Sequence, residues 1–175
     1  MTEGDAPRLG IAEPWRADFD AVIGLGSNVG DKPANLARAI ELLTAGGEVK
    51  LVRLSGIYRT APWGKVDQDW FANACATVRT GLPALALLRR CLAVEETLKR
   101  VRQERWGPRI IDVDVLVYRD EVSSGPELIL PHPRITERAF VLVPMAEVAP
   151  AVRIGGKTIV EWRDATDSSE VVGLH

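Results

Sequence analysis

The sequence lacks an excess of charge of either sign. Its 22 Lys and Arg residues nearly balance its 24 Asp and Glu residues, so the net charge is -2. General nucleic-acid-binding proteins usually carry a basic excess, and this balance argues against that class. A local group of arginines could still bind a small polyanion. We therefore expect small-molecule substrates and no nucleic-acid partner.

Cysteines and long apolar runs are also scarce. The two cysteines, Cys75 and Cys91, do not form a C-x-x-C pair, and two thiols do not make a disulfide framework. We expect both to be core residues in a reducing compartment. No apolar run approaches the roughly 20 residues that span a bilayer, and the N-terminus lacks the order of a signal peptide. The sequence therefore predicts a cytoplasmic protein with no membrane partner. We also expect a monomer.

The chain has no internal repeat and no low-complexity tract, and its 175 residues predict one domain. Residues 1–19 mix Gly, Pro and charged residues without periodicity. We expect a flexible N-terminal extension there and a single domain at 20–175. The apolar spacing then predicts these elements: a strand at 21–25, a helix between Asp31 and Gly46, strands at 49–59 and 71–80, a helix from Pro83, and a strand at 111–118.

This order of elements predicts an α+β fold of the ferredoxin-like βαββαβ type, in which helices pack on one face of an antiparallel sheet. Pro131, Pro133 and Pro144 are expected to break the chain that follows, with one short helix at 135–143. From Gly155 onward the sequence is only weakly patterned.

A glycine-rich segment follows the first predicted strand. Gly24, Gly26 and Gly30 approximate the phosphate loop of dinucleotide-binding proteins, but the third glycine comes one position too late. No G-K-[ST] follows, so the segment does not match a P-loop either. We therefore interpret it as a turn that leads from a strand into a helix.

The sharpest chemical feature is Asp112-Val113-Asp114. In a strand the two carboxylates project from one face, about 7 Å apart. Magnesium usually takes one or two carboxylates together with substrate phosphates. Most isolated D-x-D patterns are simply solvated strand faces, and that alternative applies here too. Ile111, Val113, Val115 and Val117 occupy the other face, which predicts a central strand and favours a metal site.

Arginines precede this strand. A guanidinium group binds phosphate oxygens through two parallel hydrogen bonds. Acidic metal ligands beside arginines therefore suit a nucleoside triphosphate, whose phosphates would be shared between magnesium and guanidinium groups. The alternative for each arginine is a solvated helix end. The residues concerned are Arg100, Arg102, Arg105 and Arg109.

Two other groups of residues could contribute to a site. His132 lies in the rigid turn Pro131-His132-Pro133-Arg134, although a lone histidine is more often structural than catalytic. Phe71 and Asn73 share one face of a predicted strand and offer a ring for stacking and an amide for hydrogen bonding. Phe71 taken alone fits a core residue better than a ligand contact.

Together these segments resemble the 6-hydroxymethyl-7,8-dihydropterin pyrophosphokinase family of folate biosynthesis. The R-W-G-P-R-x-x-D-x-D run at 105–114, followed by P-H-P at 131–133, is highly specific. The resemblance extends over about residues 22–150. The other matching segments are 24–28, 58–64, 71–74 and 138–142.

The resemblance implies an enzyme that transfers diphosphate from ATP to the hydroxymethyl group of 6-hydroxymethyl-7,8-dihydropterin and releases AMP. It also implies two Mg²⁺ ions, with Asp112 and Asp114 as their ligands. Arg100 and Arg109 match arginines that hold the phosphates, and with the two aspartates they form the expected catalytic set. Expected nucleotide contacts are Glu95, Trp106, Arg109, His132 and Arg138. Expected pterin contacts are Phe71, Asn73 and Phe140, with Thr60, Ala61 and Trp63 in an adjacent loop; Trp106 lies in a second loop that closes over the site.

Two other functions are left open by the residues alone. The first is a kinase or nucleotidyltransferase of the same fold with a different acceptor, which the product (AMP, ADP or free diphosphate) would distinguish. The second is a non-catalytic ferredoxin-like module that binds RNA, because fold alone does not fix function. The charge balance and the lack of an RNP-type aromatic run argue against this module.

Overall fold

The computed structural model describes residues 15–61, 69–100 and 110–174, without the side chain of Arg100. The first part of the chain forms β1 (Ala21–Ser27), α1 (Lys32–Thr44), β2 (Val49–Leu54), β3 (Tyr58–Thr60), β4 (Phe71–Thr80), α2 (Ala84–Arg100) and β5 (Asp112–Tyr118). The remainder forms β6 (Ser123–Ser124), β7 (Ile129–Leu130), a 3₁₀ turn (Ile135–Glu137), α3 (Ala139–Val148), β8 (Arg153–Ile154), β9 (Lys157–Thr158), α4 (Ile159–Asp164) and β10 (Val172–Gly173).

Within the described residues, one antiparallel sheet has the strand order β10-β3-β4-β1-β5, and β2 also pairs with β4. If β2 and β3 are taken as one interrupted strand, the core order is that of the predicted ferredoxin-like βαββαβ fold. The predicted fold class is confirmed.

The first helix begins as the sequence predicts. Asp31 precedes α1, and its side chain accepts a hydrogen bond from the backbone N of Ala34 at 3.1 Å. Pro33 occupies the first turn, where a missing N–H costs nothing. The turn at 28–31 joins β1 to this helix, as the interpretation of the glycine-rich segment predicts.

The predicted strand at 49–59 is interrupted at Ser55. The Ser55 hydroxyl accepts a hydrogen bond from the backbone N of Cys75 at 2.9 Å and donates to the Gly56 carbonyl at 2.7 Å. The Ser55 backbone N still donates to the Cys75 carbonyl at 2.9 Å, while the return bond from Cys75 N goes to the Ser55 side chain. The chain leaves the regular strand here, between β2 and β3.

The two helices of the βαββαβ core, α1 and α2, lie on one face of the sheet as predicted, and the later helices cover the opposite face as well. One core cluster joins the sheet to α1 and α2 and includes Ile23, Leu36 and Leu87. A second cluster joins the opposite face to α3 and includes Val22, Cys75 and Leu142. α4 packs against α3 on that side.

The prediction that the Asp112 strand is central is wrong. Among the strands of the described ranges, β5 lies at the end of the order and pairs with β1 alone. Its apolar residues are nevertheless buried, since α2 and β7 contact it. A β-bulge near Leu116 shifts the register, so that Val117 faces the α3 side and Tyr118 the α1–α2 side. Simple alternation does not predict that reversal.

The expected break at Pro144 does not occur, because Pro144 lies inside α3. The predicted helix at 135–143 is instead a 3₁₀ turn followed by α3, which continues to Val148. A proline inside a helix usually costs about 3 kcal/mol. Burial of Leu142, Met145 and Val148 offsets this cost, since all three belong to the second core cluster.

The first and last described segments pack against or pair with the sheet. Phe19 is buried, and Trp15 packs edge-on against it with ring centroids 5.3 Å apart. Near the C-terminus, β10 pairs with β3. Cys75 and Cys91 are both buried free thiols, as predicted. Among the helices of the described ranges, none has the length and apolarity to cross a bilayer.

Candidate active site

A cavity of about 450 Å³ opens on the sheet face that α3 covers. Its floor comes from β1, β4 and β5, and its walls come from the end of β3 and from residues 132–141. The cavity therefore lies where the sheet meets the chain that leads into α3. The predicted site residues that line it are Thr60, Ala61, Phe71, Asn73, Asp112, Asp114, His132, Arg138 and Phe140.

Asp112 and Asp114 both line this cavity, whereas Val113 between them is buried in the opposite core. The structure thus places both carboxylates on the cleft side of β5. Their partners on β1 are Gly26 and Gly24. Because glycine has no side chain, the side chains of Leu116 and Asn73 can lie close to β1 at these two positions.

Glu95 supports the same strand from α2. Its side chain is buried, and Oε1 accepts a hydrogen bond from the backbone N of Val113 at 2.8 Å. Burial raises the pKa of Glu95, and the charges of Asp112 and Asp114 raise it further, while the Val113 hydrogen bond opposes the shift. Glu95 is therefore close enough to the aspartates for their charges to affect its pKa, and its hydrogen bond to Val113 stabilises the position of β5.

Phe71 and Phe140 lie on different walls of the cavity, one at the start of β4 and the other in α3. Asn73 also lines the cavity and is largely buried, and its amide Nδ2 donates to Thr60 Oγ1 at 2.8 Å. A Cβ on Gly26 would lie 3.2 Å from Asn73 Oδ1. The absence of a side chain at Gly26 thus lets the Asn73 amide lie against β1 in one orientation.

The histidine and the arginines that line the cavity come from one segment, residues 132–138, which begins beside β5. The half-buried His132 is fixed by its backbone N, which donates to the Leu116 carbonyl at 2.8 Å. Burial lowers the pKa of His132, and Arg138 and Arg134 lower it further, whereas Asp114 opposes the shift. The Arg138 guanidinium lies over the Phe140 ring, 5.6 Å from its centroid. The lowered pKa favours the neutral imidazole, which can both donate and accept a hydrogen bond.

Comparison with known proteins identifies the family. A sequence model of the 7,8-dihydro-6-hydroxymethylpterin-pyrophosphokinase family matches residues 22–150, which contain every described residue that lines the cleft. The chain belongs to this family. The predicted resemblance is confirmed, and the chain is an ATP-dependent pyrophosphokinase of folate biosynthesis.

Individual pyrophosphokinases support the assignment. The chain is 51% identical over 151 residues to 2-amino-4-hydroxy-6-hydroxymethyldihydropteridine pyrophosphokinase of Methylorubrum extorquens, covering 86% of this chain and 96% of the relative. It is 42% identical over 132 residues to the Bacillus subtilis protein of the same name, covering 75% of this chain and 79% of the relative.

Solved structures support the fold. The chain resembles the Plasmodium falciparum HPPK-DHPS structure with pteroate at a TM-score of 0.65 and 16% identity, covering 84% of this chain. The A437G form with SDX-DHP gives a TM-score of 0.66 at 17% identity, covering 89% of this chain. The chain spans 42% and 46% of those longer chains. At this identity the likeness establishes the fold.

Several predicted residues of the pyrophosphokinase site lie outside the described residues. They are Trp63, Arg102, Arg105, Trp106 and Arg109, together with the side chain of Arg100. Their expected roles stay predictions.

Sequence reasoning also missed part of the site. Gly24, Gly26, Cys75 and Leu116 line the floor, and Glu137 lines the rim. The two glycines alternate along β1, which could have indicated a strand whose face approaches a ligand. The sequence gives no such signal for Leu116. Its position on the cleft side depends on the β-bulge in β5, which is known only from the pairing of β5 with β1.

Proposed function

We propose that this pyrophosphokinase binds ATP and 6-hydroxymethyl-7,8-dihydropterin side by side in the cleft. The observation that carries the proposal is the placement of Asp112 and Asp114 on one side of a cavity whose other walls bear Phe71 and Phe140. The carboxylates suit a metal–phosphate complex and the rings suit a flat heterocycle. A single cavity therefore offers a binding site for each of the two substrates.

Asp112 and Asp114 are the residues that would hold magnesium. They lie above two glycines, and their charges raise the pKa of the nearby Glu95, so a cation would be stabilised there. Two carboxylates with phosphate oxygens match the usual ligands of Mg²⁺. When bound, the metal supplies charge stabilisation to the transferring phosphoryl group. We propose two ions, as the family resemblance implies.

Phe71 and Phe140 would stack against the pterin ring, and the Asn73 amide would donate to or accept from its polar edge. The hydrogen bond from Asn73 Nδ2 to Thr60 fixes the orientation of this amide before a ligand arrives. A fixed amide loses little freedom on binding, so it favours a ring with a complementary edge. Thr60 and Ala61 complete that wall.

His132 and Arg138, which line the cavity, would contact ATP, joined by Trp106, Arg100 and Arg109 in their predicted roles. Glu95 was also expected to contact the nucleotide, but its buried carboxylate does not line the cavity, so we propose that it acts through its hydrogen bond to β5. The hydroxymethyl oxygen of the pterin attacks the β-phosphorus of ATP, and AMP is the leaving group. Such a transfer depends mainly on positioning and charge stabilisation. The two carboxylates and the Asn73 amide, which line one cavity, support this proposal, and we assign no general base.

The identity of the nucleotide product tests this proposal. Incubation of the protein with ATP, Mg²⁺ and 6-hydroxymethyl-7,8-dihydropterin is expected to yield equal amounts of AMP and pterin diphosphate. ADP as the product would indicate a simple kinase, and free diphosphate would indicate a nucleotidyltransferase. Omission of the pterin is the control, and AMP formation should then be lost.

We further propose that residues 20–175 form one domain that works as a cytoplasmic monomer. The two buried free thiols fit a reducing compartment. Sedimentation equilibrium of the protein tests the oligomeric state, and a mass near 19.1 kDa is the expected result.

A further inference from the structure

Lys32 has an unusual environment for a lysine. It is the first residue of α1 and only 4% exposed. Lysine is almost never buried unless it is paired. The N-terminus of a helix also repels a positive charge, because the backbone N–H groups there point outward. Neither burial nor helix electrostatics favours a lysine at this position, so its partners must hold it there.

Those partners are the two residues that precede β4. The Lys32 ammonium lies 2.8 Å from Asp69 Oδ2 and 3.9 Å from the centroid of the Trp70 ring. Asp69 Oδ1 accepts a hydrogen bond from the Trp70 backbone N at 2.9 Å. The Arg59 guanidinium of β3 lies 5.1 Å from the same ring. These contacts attach residues 69 and 70 to both α1 and β3.

The next residue, Phe71, begins β4 and lies in the cleft. Trp70 packs on the core beneath α1, so successive side chains point to opposite faces of the sheet. Phe71 pairs with Thr60, and Asn73 lies two residues further along. A displacement of residues 69 and 70 would therefore move the ring of Phe71 directly.

We propose that Lys32 is a positioning residue for the pterin half of the cleft, acting through Asp69 and Trp70 on Phe71. This inference rests on the proposed stacking of the pterin against Phe71. The phosphate half of the cleft, around Asp112 and Asp114, lies on β5 and does not depend on residues 69 and 70 for its position.

The test compares Lys32→Met and Asp69→Asn with Lys157→Met. Methionine keeps the length and apolar character of the lysine stem. Lys157 is the matched control, because its ammonium lies 4.8 Å from the Trp162 ring centroid and is not part of the cleft. The Asp69 side chain is 61% exposed, so its replacement leaves the fold intact.

In the AMP-forming assay we expect Lys32→Met and Asp69→Asn to raise the KM for the dihydropterin about five- to thirtyfold, the range of a partly desolvated cation–π contact or ion pair. The KM for ATP should stay within about twofold of the wild-type value in both variants. In Lys157→Met, the KM values for ATP and for the dihydropterin should both stay within about twofold of wild type. The double variant should raise the KM for the dihydropterin no more than the more strongly affected single variant does. Both substitutions break the same contact, between Lys32 and Asp69.

An unchanged pterin KM in both single variants would overturn the inference, and so would a parallel rise in the KM values for ATP and pterin. Phe71→Ala separates this failure from failure of the proposed site. If Phe71→Ala raises the pterin KM and the Lys32 and Asp69 variants do not, only the role of Lys32 is wrong. If Phe71→Ala does not change the pterin KM, the proposed stacking of the pterin on Phe71 is wrong, and the inference about Lys32 is wrong with it.

Discussion

Asp112 lines the cleft without packing into either core cluster, so its contribution depends on charge. We expect Asp112→Asn to lower the rate of AMP formation at least about 100-fold, or about 2.7 kcal/mol, because one of the two anionic metal ligands is lost. Asp120→Asn, in the exposed turn after β5, is the control and should keep the normal rate. Wild-type turnover of Asp112→Asn at limiting Mg²⁺ would contradict the metal assignment.

Phe140 should contribute to binding of only one substrate. Stacking of a base on an aromatic ring is worth roughly 1–3 kcal/mol in related sites, so Phe140→Ala should weaken pterin binding by about that amount. ATP affinity should change much less. Calorimetry with each ligand measures the two effects separately. Phe140→Tyr keeps the ring and should restore pterin binding, whereas equal losses for both ligands would place Phe140 in a purely structural role.

Gly26 determines where the Asn73 amide can lie. A Cβ at this position would come within 3.2 Å of Asn73 Oδ1, so Gly26→Ala must shift the amide by a few tenths of an ångström. We expect the pterin KM to rise about three- to tenfold, the value of one weakened hydrogen bond. Gly81→Ala is the matched control, since an added Cβ there meets nothing within 4 Å. A normal pterin KM in Gly26→Ala would show that Asn73 does not contact the pterin.

At the scale of elements, Glu147 connects α3 to the bend between β2 and β3. Its carboxylate oxygens lie 3.1 and 3.2 Å from the Gly56 backbone N, and Oε2 lies 2.8 Å from the Tyr58 hydroxyl. We expect Glu147→Ala to lower the free energy of unfolding by about 0.5–1.5 kcal/mol. Urea denaturation measures this change. Tyr58→Phe in the same background should cost little more, because its partner is already gone.

Some elements were predictable because their signals are local. The Asp31 cap and Pro33 fix the start of α1, and the spacing of Leu87, Cys91 and Val94 gives the buried face of α2. Phe71 and Phe140 belong to distant segments, so only the resemblance to a family could place them in one site.

Other elements depend on contacts that no short window contains. The helix through Pro144 exists because its neighbours are buried against the sheet, and the edge position of β5 follows from strand pairing. Lys32 resembles an ordinary surface residue in the sequence. Its burial depends on Asp69 and Trp70, which lie nearly forty residues away.

For the whole molecule, stability should decrease in alkaline solution. The chain has two tyrosines, Tyr58 and Tyr118, and burial is the first cause that raises the pKa of each. A raised folded-state pKa means that the unfolded chain loses its phenol protons first as the pH rises above about 10. Stability is therefore complete below that pH and falls above it.

Tyrosinate absorbance checks this prediction. Both phenols should titrate above the value of a free tyrosine in the folded protein, and Tyr58→Phe should leave a single such transition. Titration of either phenol at the ordinary value while the protein remains folded would contradict the prediction.

The sheet edges near the cleft have a consequence for how copies of the protein meet. β10 covers the outer edge of β3, while on β5 Glu95 accepts from the Val113 N–H and the His132 N–H donates to the Leu116 carbonyl. Exposed strand edges invite pairing between molecules and aggregation, and β2, which carries Lys50 and Arg53, has the charged residues that discourage it. The same groups that shape the catalytic cleft thus also reduce the chance that concentrated protein assembles edge to edge into fibrils.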